Sequence, residues 1–254
     1  MRKIAIANQK GGVGKTTVAV NLATALGLNK KKVLLVDLDP QQNATSHLGV
    51  ETDSGIEDLF LSGKTLDDIL YISNGLDLLP AGAGMTDLEI KWHYPDPESN
   101  FRNLKKALND IKDYDFIIVD SPPHLGVLTI NALTYCDELI IPVKCDYFAL
   151  EGLSKLTGTI DMVKQGLNPT LRITGIVPTF FDVRTSISHY VLDELKKNLK
   201  NDITKTIIRI NTALAEAPAY SKDIFNYQPR SHGAEDFKRL AKEIIRKNYI
   251  RRKK

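Results

Sequence analysis

Lys10-Gly11-Gly12-Val13-Gly14-Lys15-Thr16-Thr17 is the stretch on which the reading of this chain turns. It follows the apolar run Ile4-Ala5-Ile6-Ala7 and runs into Val18-Ala19-Val20-Asn21-Leu22-Ala23, which has helical character. A glycine-rich turn between a strand and a helix N-terminus is built to hold phosphate. The glycines let backbone N–H groups come close, and the helix dipole favours negative charge. Lys15 reaches the outer phosphates and Thr16 offers a hydroxyl to Mg²⁺. The spacing is a variant, because the usual pattern puts its first glycine where Gln9 stands. A second lysine, Lys10, opens the loop instead. Lys15 already supplies the local cation, so Lys10 has the reach to serve a nucleotide held by a facing subunit.

Outward from the loop, short apolar runs alternate with helical patterns. Strands are expected at 3–8, 32–37, 116–120, 138–143, 172–178 and 204–208, and helices at 16–27, 126–135 and 150–166. Strands separated by helices make βαβ units, so the expected fold is α/β, a doubly wound, mainly parallel sheet flanked by helices. The stretch 92–100, with Pro95 and Pro97, reads as a loop carrying the lone Trp92. No repeat or Gly/Ser linker interrupts the chain, so one domain over 1–254 is expected, ending in a basic helix over 231–254. Asp37, Asp39 and Asp120 end expected parallel strands, at the edge where open α/β sheets bind ligands. Mg²⁺ takes a hydroxyl and one or two carboxylates at such an edge.

Composition narrows the function classes. The 254 residues are 43% hydrophobic and 26% charged, which excludes wholesale disorder. Two cysteines, Cys136 and Cys145, exclude a disulfide scaffold and an all-cysteine metal cluster within one chain. They suit the reduced state of a cytosol. No apolar run reaches the roughly 18–20 residues of a membrane span, and the first residues have too short an apolar stretch for a signal peptide. The net charge of +3 is a sum of unlike parts. Residues 1–150 hold 14 Lys and Arg against 20 Asp and Glu; residues 151–254 hold 20 against 11. A basic C-terminal portion suits a polyanion, either nucleic acid or an anionic membrane.

The loop resembles the deviant Walker A motif of the ParA/MinD group of P-loop ATPases, and the likeness runs along nearly the whole chain. Val33–Thr45, with Asp37-Leu38-Asp39-Pro40-Gln41-Gln42-Asn43, is similar to the segment after the second strand of ParA/Soj partition ATPases. Asp115–Pro123 resembles their Walker B strand. Tyr147–Leu153, Leu214–Pro218 and Pro229-Arg230-Ser231 match further stretches, and the likeness is weakest over 51–102. The resemblance implies ATP and Mg²⁺ as cofactors and a nucleotide-sandwiched homodimer. It implies that Lys10, Lys15 and Asp39 carry catalysis, with Lys10 contacting nucleotide across the dimer and Asp39 orienting the attacking water. Lys10, Gly11, Gly12, Val13, Gly14, Lys15, Thr16 and Thr17 would hold the phosphates, and Asn211 the adenine. Thr16, Asp39 and Asp120 would serve the metal.

The resemblance also implies non-specific DNA as partner, a ParB-like activator of hydrolysis, and a cytoplasmic protein that joins the nucleoid when ATP-bound. Candidate DNA contacts are Arg184, Arg209, Arg230, Lys238 and Arg239. Ala213 stands where the family carries another arginine, and Arg209-Ile210-Asn211 replaces its Pro-Arg-Asn. Two other readings are weighed: a MinD-like membrane-associated positioning ATPase and a partition-like ATPase that moves a protein cargo. The polar end Arg251-Arg252-Lys253-Lys254 disfavours the membrane. A small-molecule ligase on the same scaffold is disfavoured by Lys10. There is no H-E-x-x-H, no G-x-S-x-G, and no metal-ligand spacing among the five histidines.

Overall fold

The computed structural model describes residues 1–199 and 202–247, apart from the side chains at 150–152, 154 and 155. A seven-stranded sheet forms the centre. Its strands are β1 (Arg2–Ile6), β2 (Val33–Asp37), β3 (Tyr71–Ser73), β4 (Leu76–Leu79), β5 (Phe116–Asp120), β6 (Glu138–Lys144) and β7 (Arg172–Thr179). Their order is β3-β4-β2-β5-β1-β6-β7, and only β3 and β4 pair antiparallel. The expected mainly parallel sheet is therefore present.

The central strands are aliphatic at nearly every position because both faces are covered. In β5, Phe116 and Ile118 enter one core, and Ile117 and Val119 enter the other. β2 divides in the same way, with Val33 and Leu35 opposite Leu34 and Val36. One face is covered by the Lys15–Leu28 and His232–Arg246 helices. The other is covered by the Val127–Tyr135, Ala149–Gly166 and Ser186–Asn198 helices. Phe237, Leu240, Ala241 and Ile244 of the last long helix are all 0% exposed. Truncating such a ring, as in Phe237→Ala, costs about 3–5 kcal/mol.

The last helix is also pinned at its far end. Arg2 Nη1 donates to the Ile244 carbonyl at 2.6 Å, while Arg2 Nη2 holds the Glu138 carboxylate at 2.6 Å. Both partners of that ion pair open strands, so the C-terminal end of the helix lies at the amino edge of the sheet. The expected basic segment 248–254 lies outside the described residues.

The structure departs from the sequence reading at three places. The hairpin of β3 and β4 was not foreseen, although Asn74-Gly75 is a strong two-residue hairpin signal. Both residues adopt positive φ, 53° and 76°. The stretch 204–208 runs beside β7 but forms no regular strand. Thr204 N–H reaches the Ile176 carbonyl at 2.9 Å and Ile208 N–H the Pro178 carbonyl at 2.8 Å. Between them, the Glu243 carboxylate captures the N–H groups of Lys205 and Thr206 at 2.8 and 2.9 Å. Those donors are therefore lost to the ladder. Finally, Trp92 is helical, within Met85–His93. It is 2% exposed and meets Phe60 edge-on with ring centroids 4.8 Å apart.

Candidate nucleotide site

β1 lies between β5 and β6, and its crossover returns to β2 beyond β5. Strand order reverses at that point, which leaves a crevice at the carboxyl ends of the strands. The glycine loop sits there. Gly12 and Gly14 adopt left-handed φ values of 68° and 86°, which explains glycine at both positions. A Cβ at Gly11 or Gly12 would meet no protein atom within 4 Å, so the space above the loop is open. Buried Asn8 braces the loop by donating to the Pro142 carbonyl at 2.7 Å and accepting the Lys10 N–H at 3.1 Å. Thr179 Oγ1 donates to the Val13 carbonyl at 2.8 Å and ties β7 to the same loop.

Lys15 and Thr16 open the following helix. The Lys15 side chain folds back over the loop, with Nζ 3.4 Å from the Lys10 carbonyl. Burial lowers its pKa, and Asp120 and Asp39 pull in the opposite direction. Lys10 points elsewhere. Its Nζ lies 2.7 and 2.8 Å from the two Asp146 oxygens, just past the end of β6, and 5.6 Å from the Phe148 ring centroid. Lys144 Nζ stands 3.7 Å from the same carboxylate.

The three acids differ. Asp37 and Asp120 are register partners at the ends of β2 and β5. Asp37 has full hydrogen bonding: from Asp39 N–H at 3.0 Å, and from Thr45 N–H and Oγ1 at 2.9 and 2.8 Å. Burial pushes its pKa up to about 6 against those bonds. Its work is to shape the turn that carries Asp39. The Asp39 carboxylate accepts Gln41 N–H at 3.0 Å and the Asn43 amide at 2.9 Å, which fixes its direction at 3% exposure.

Asp120 is 0% exposed, and neither of its oxygens has a hydrogen bond of ordinary geometry. Burial, then Asp37 and Asp39, raise its pKa well above the usual range; the nearby Thr16 hydroxyl tempers the rise. Ser121 Oγ beside it is equally buried and unpartnered. Unpaired buried acceptors are rare and costly. A hard divalent cation held by Thr16, Asp39 and Asp120 would offset that cost, and the hydroxyl-plus-carboxylate donor set fits Mg²⁺.

Beside the loop lies an apolar cavity of about 270 Å³, bounded by Gly14, Thr17, Phe180, Asn211, Leu214 and Phe237 among others. Asn211 caps the Thr212–Glu216 helix, its Oδ1 accepting Leu214 N–H at 3.3 Å. Phe180 follows β7 with φ of 50°, an arrangement that costs a bulky residue on the order of 1–3 kcal/mol.

The expected DNA contacts differ in exposure and in their partners. Arg184 is highly exposed and forms two bonds to Asp182 at 2.9 and 2.8 Å. Arg230 is exposed just before the last long helix, and Lys238 and Arg239 are exposed along it. Arg209 is differently placed. It grips buried Asp236 at 2.9 and 2.7 Å, with Glu235 at 3.6 Å. Sequence reasoning missed Asp146, Thr45 and Phe180. Asn43 lay within the quoted motif, but its bond to Asp39 was not anticipated.

A glycine loop at the switch point, a buried lysine over it and one orphaned carboxylate, Asp120, beside it define a P-loop nucleotide-binding protein. Comparisons with known proteins narrow this. A family model described as an AAA domain matches residues 1–173. The sporulation initiation inhibitor protein Soj of Bacillus subtilis is 46% identical over 95% of this chain and 97% of its own. The chromosome partitioning protein ParA of Myxococcus xanthus is 42% identical over 97% and 89%. The structure of cobyrinic acid a,c-diamide synthase from Mycobacterium smegmatis with bound ADP and magnesium superposes with a TM-score of 0.82 at 31% identity, covering 97% of this chain and 94% of that one. The chain belongs to the ParA/Soj family of partition ATPases.

Proposed function

We propose that this ATPase partitions DNA: MgATP at the carboxyl edge joins two copies face to face, and the joined pair binds DNA without sequence preference. The observation that carries the reading is the position of Lys10. It lies outside the phosphate cradle that Lys15 already serves, half-exposed, on an acid of its own chain. A single, solvent-reached pair of this kind is worth about 1 kcal/mol, so it exchanges readily. Lys10 leaves Asp146 for the nucleotide of the facing subunit. The relatives named for chromosome partitioning favour DNA as the cargo.

Phosphoryl transfer needs positioning and charge neutralisation more than covalent chemistry. Gly11 to Thr17 present N–H groups to the phosphates, Lys15 lies over them, and Asn211 faces the base. Mg²⁺, when bound, supplies charge neutralisation at the phosphate oxygens. Asp39, aimed by Gln41 and Asn43, orients the attacking water. A ParB-like partner speeds hydrolysis and so dissolves the DNA-bound dimer.

Arg184, Arg230, Lys238 and Arg239 form the DNA face, with Arg209 bracing it through Asp236. Pairing two copies doubles that face and raises affinity through avidity. The ATP form resides on the nucleoid and the free form in the cytoplasm, with one domain serving both. A membrane role is less well supported. The last long helix spends its apolar stripe on the core, and no helix among the described residues is long and apolar enough to cross a membrane. Light scattering tests the dimer: mass should double in MgATP and not in MgADP. An unchanged mass in MgATP would remove the face-to-face pair.

A further inference from the structure

Lys144 closes β6, and neither the phosphate cradle nor the proposed DNA face gives it a task. Its Nζ stands 3.7 Å from Asp146 Oδ2, the same oxygen that Lys10 Nζ holds at 2.8 Å. The carboxylate between the two lysines is fixed by the backbone around it. Phe148 N–H donates to Asp146 Oδ1 at 3.2 Å, and Asp146 N–H donates to the Lys144 carbonyl at 2.8 Å. Cys145 N–H donates to the Thr179 carbonyl at 3.0 Å, which pins this turn to β7. The lysine side chains have more freedom, being 30% exposed at Lys10 and 43% at Lys144. Each ammonium also lies near an aromatic ring, Lys10 Nζ 5.6 Å from the Phe148 centroid and Lys144 Nζ 5.7 Å from the Phe180 centroid.

One carboxylate is thus shared unequally by two ammonium groups. Lys10 makes contacts of hydrogen-bond length to both oxygens, whereas Lys144 stops just short of one. Measured through Oδ2, the ammonium groups lie within about 6.5 Å of each other, inside the roughly 8 Å screening length of physiological salt, so they repel. A carboxylate stripped of Lys10 keeps this second cation within reach. We infer that Lys144 is a positioning residue for the transfer of Lys10 to the facing subunit. While Lys10 is parked, Lys144 weakens its hold on Asp146 by like-charge repulsion and by competition for Oδ2. When Lys10 departs, Lys144 closes the remaining distance and pairs with Asp146, so that joining two copies strands no acid. This deepens the reading of Lys10 given above and rests on it.

The test titrates MgATP at fixed protein concentration and follows dimerisation by light scattering, with MgADP affinity measured separately by calorimetry. Lys144→Gln keeps the length of the side chain and removes its charge. It should raise the MgATP concentration for half-maximal dimerisation about three- to tenfold, one modest ion pair being at stake in each of two copies. MgADP affinity should stay within about twofold, and Lys144→Arg should behave as wild type. In an Asp146→Ala background, Lys144→Gln should change nothing, because no carboxylate is left to pass from one lysine to the other. An unchanged midpoint for Lys144→Gln, or the same rise with and without Asp146, would overturn the inference. A Lys10→Ala chain that still paired in MgATP would sink the reading of Lys10 instead.

Discussion

Lys10 and Asp146 are 136 residues apart in sequence, yet Lys10 Nζ lies 2.7 Å from one Asp146 oxygen and 2.8 Å from the other. A loop that contains a buried phosphate lysine thus parks a second lysine on the rim of β6. Lys10→Ala should abolish ATP-dependent dimerisation while each protomer still binds nucleotide. Asp146→Ala frees Lys10 and should leave dimerisation intact or favour it a few-fold. Sizing in MgATP checks both; a Lys10→Ala chain that still doubles its mass would remove the trans role.

Asp39 is held by Gln41 N–H and the Asn43 amide rather than by a hydrogen bond to the phosphate loop. Asp39→Ala should therefore bind ATP and dimerise but turn over at least about a hundredfold more slowly, as loss of a positioned acid or base implies. Phosphate release and sizing on the same sample decide this. Normal turnover would refute the role.

Two arginines on the basic half should separate into different functions. Arg184→Glu should weaken DNA binding in MgATP and leave dimerisation unchanged, because the side chain is exposed and its ion pair is local, to Asp182. Arg209→Ala strips the guanidinium from Asp236, which is 1% exposed and keeps only the residue-209 backbone N–H at 3.1 Å. Breaking a buried pair costs about 3–5 kcal/mol, and partial exposure of Arg209 places this case at or below the low end. Urea unfolding measures the second effect and DNA titration the first. A stable Arg209→Ala protein that has lost DNA binding would reverse the assignment.

His47 ends the Asn43–His47 helix and faces the backbone of Lys222, 3% exposed, with Nε2 unpartnered. Burial lowers its pKa to about 4; the Lys222 backbone and Asp223 act the other way. The folded state therefore holds this ring neutral, and the unfolded chain takes up its proton first. Above about pH 6.5 the group adds no pH dependence. Between about pH 6.5 and 4 it should lower stability as pH falls, by up to about 3 kcal/mol. His47→Leu should flatten that part of the profile, whatever its effect at neutral pH. Parallel profiles for the two proteins would count against the buried neutral ring.

The parts of this molecule legible in the sequence are those set by local chemistry. Gly12 and Gly14 need left-handed backbone, and 116–120 is a purely apolar run ending in a carboxylate, so loop and strand could be placed by inspection. Asn74-Gly75 carried an equally local signal that was passed over. What could not be read depends on contacts across the fold. The stretch 204–208 has strand composition, but Glu243 on a distant helix takes two of its donors. Arg209 looks like a free cation until Asp236 is seen beneath it. Nothing in Phe180 itself announces a left-handed φ; that follows from anchors at Val13 and Ile208. Likewise, Asp146 meets Lys10 only because β1 and β6 are neighbours.

In the proposed function, ATP switches this chain onto DNA through a dimer. The most direct measurement is a titration of a non-specific DNA duplex with the protein in MgATP, in MgADP and without nucleotide, at two salt concentrations. Binding is expected in MgATP, weakening steeply with salt as phosphate neutralisation requires, with little binding in the other two conditions. Equal affinity in all three nucleotide states, or binding indifferent to salt, would contradict it.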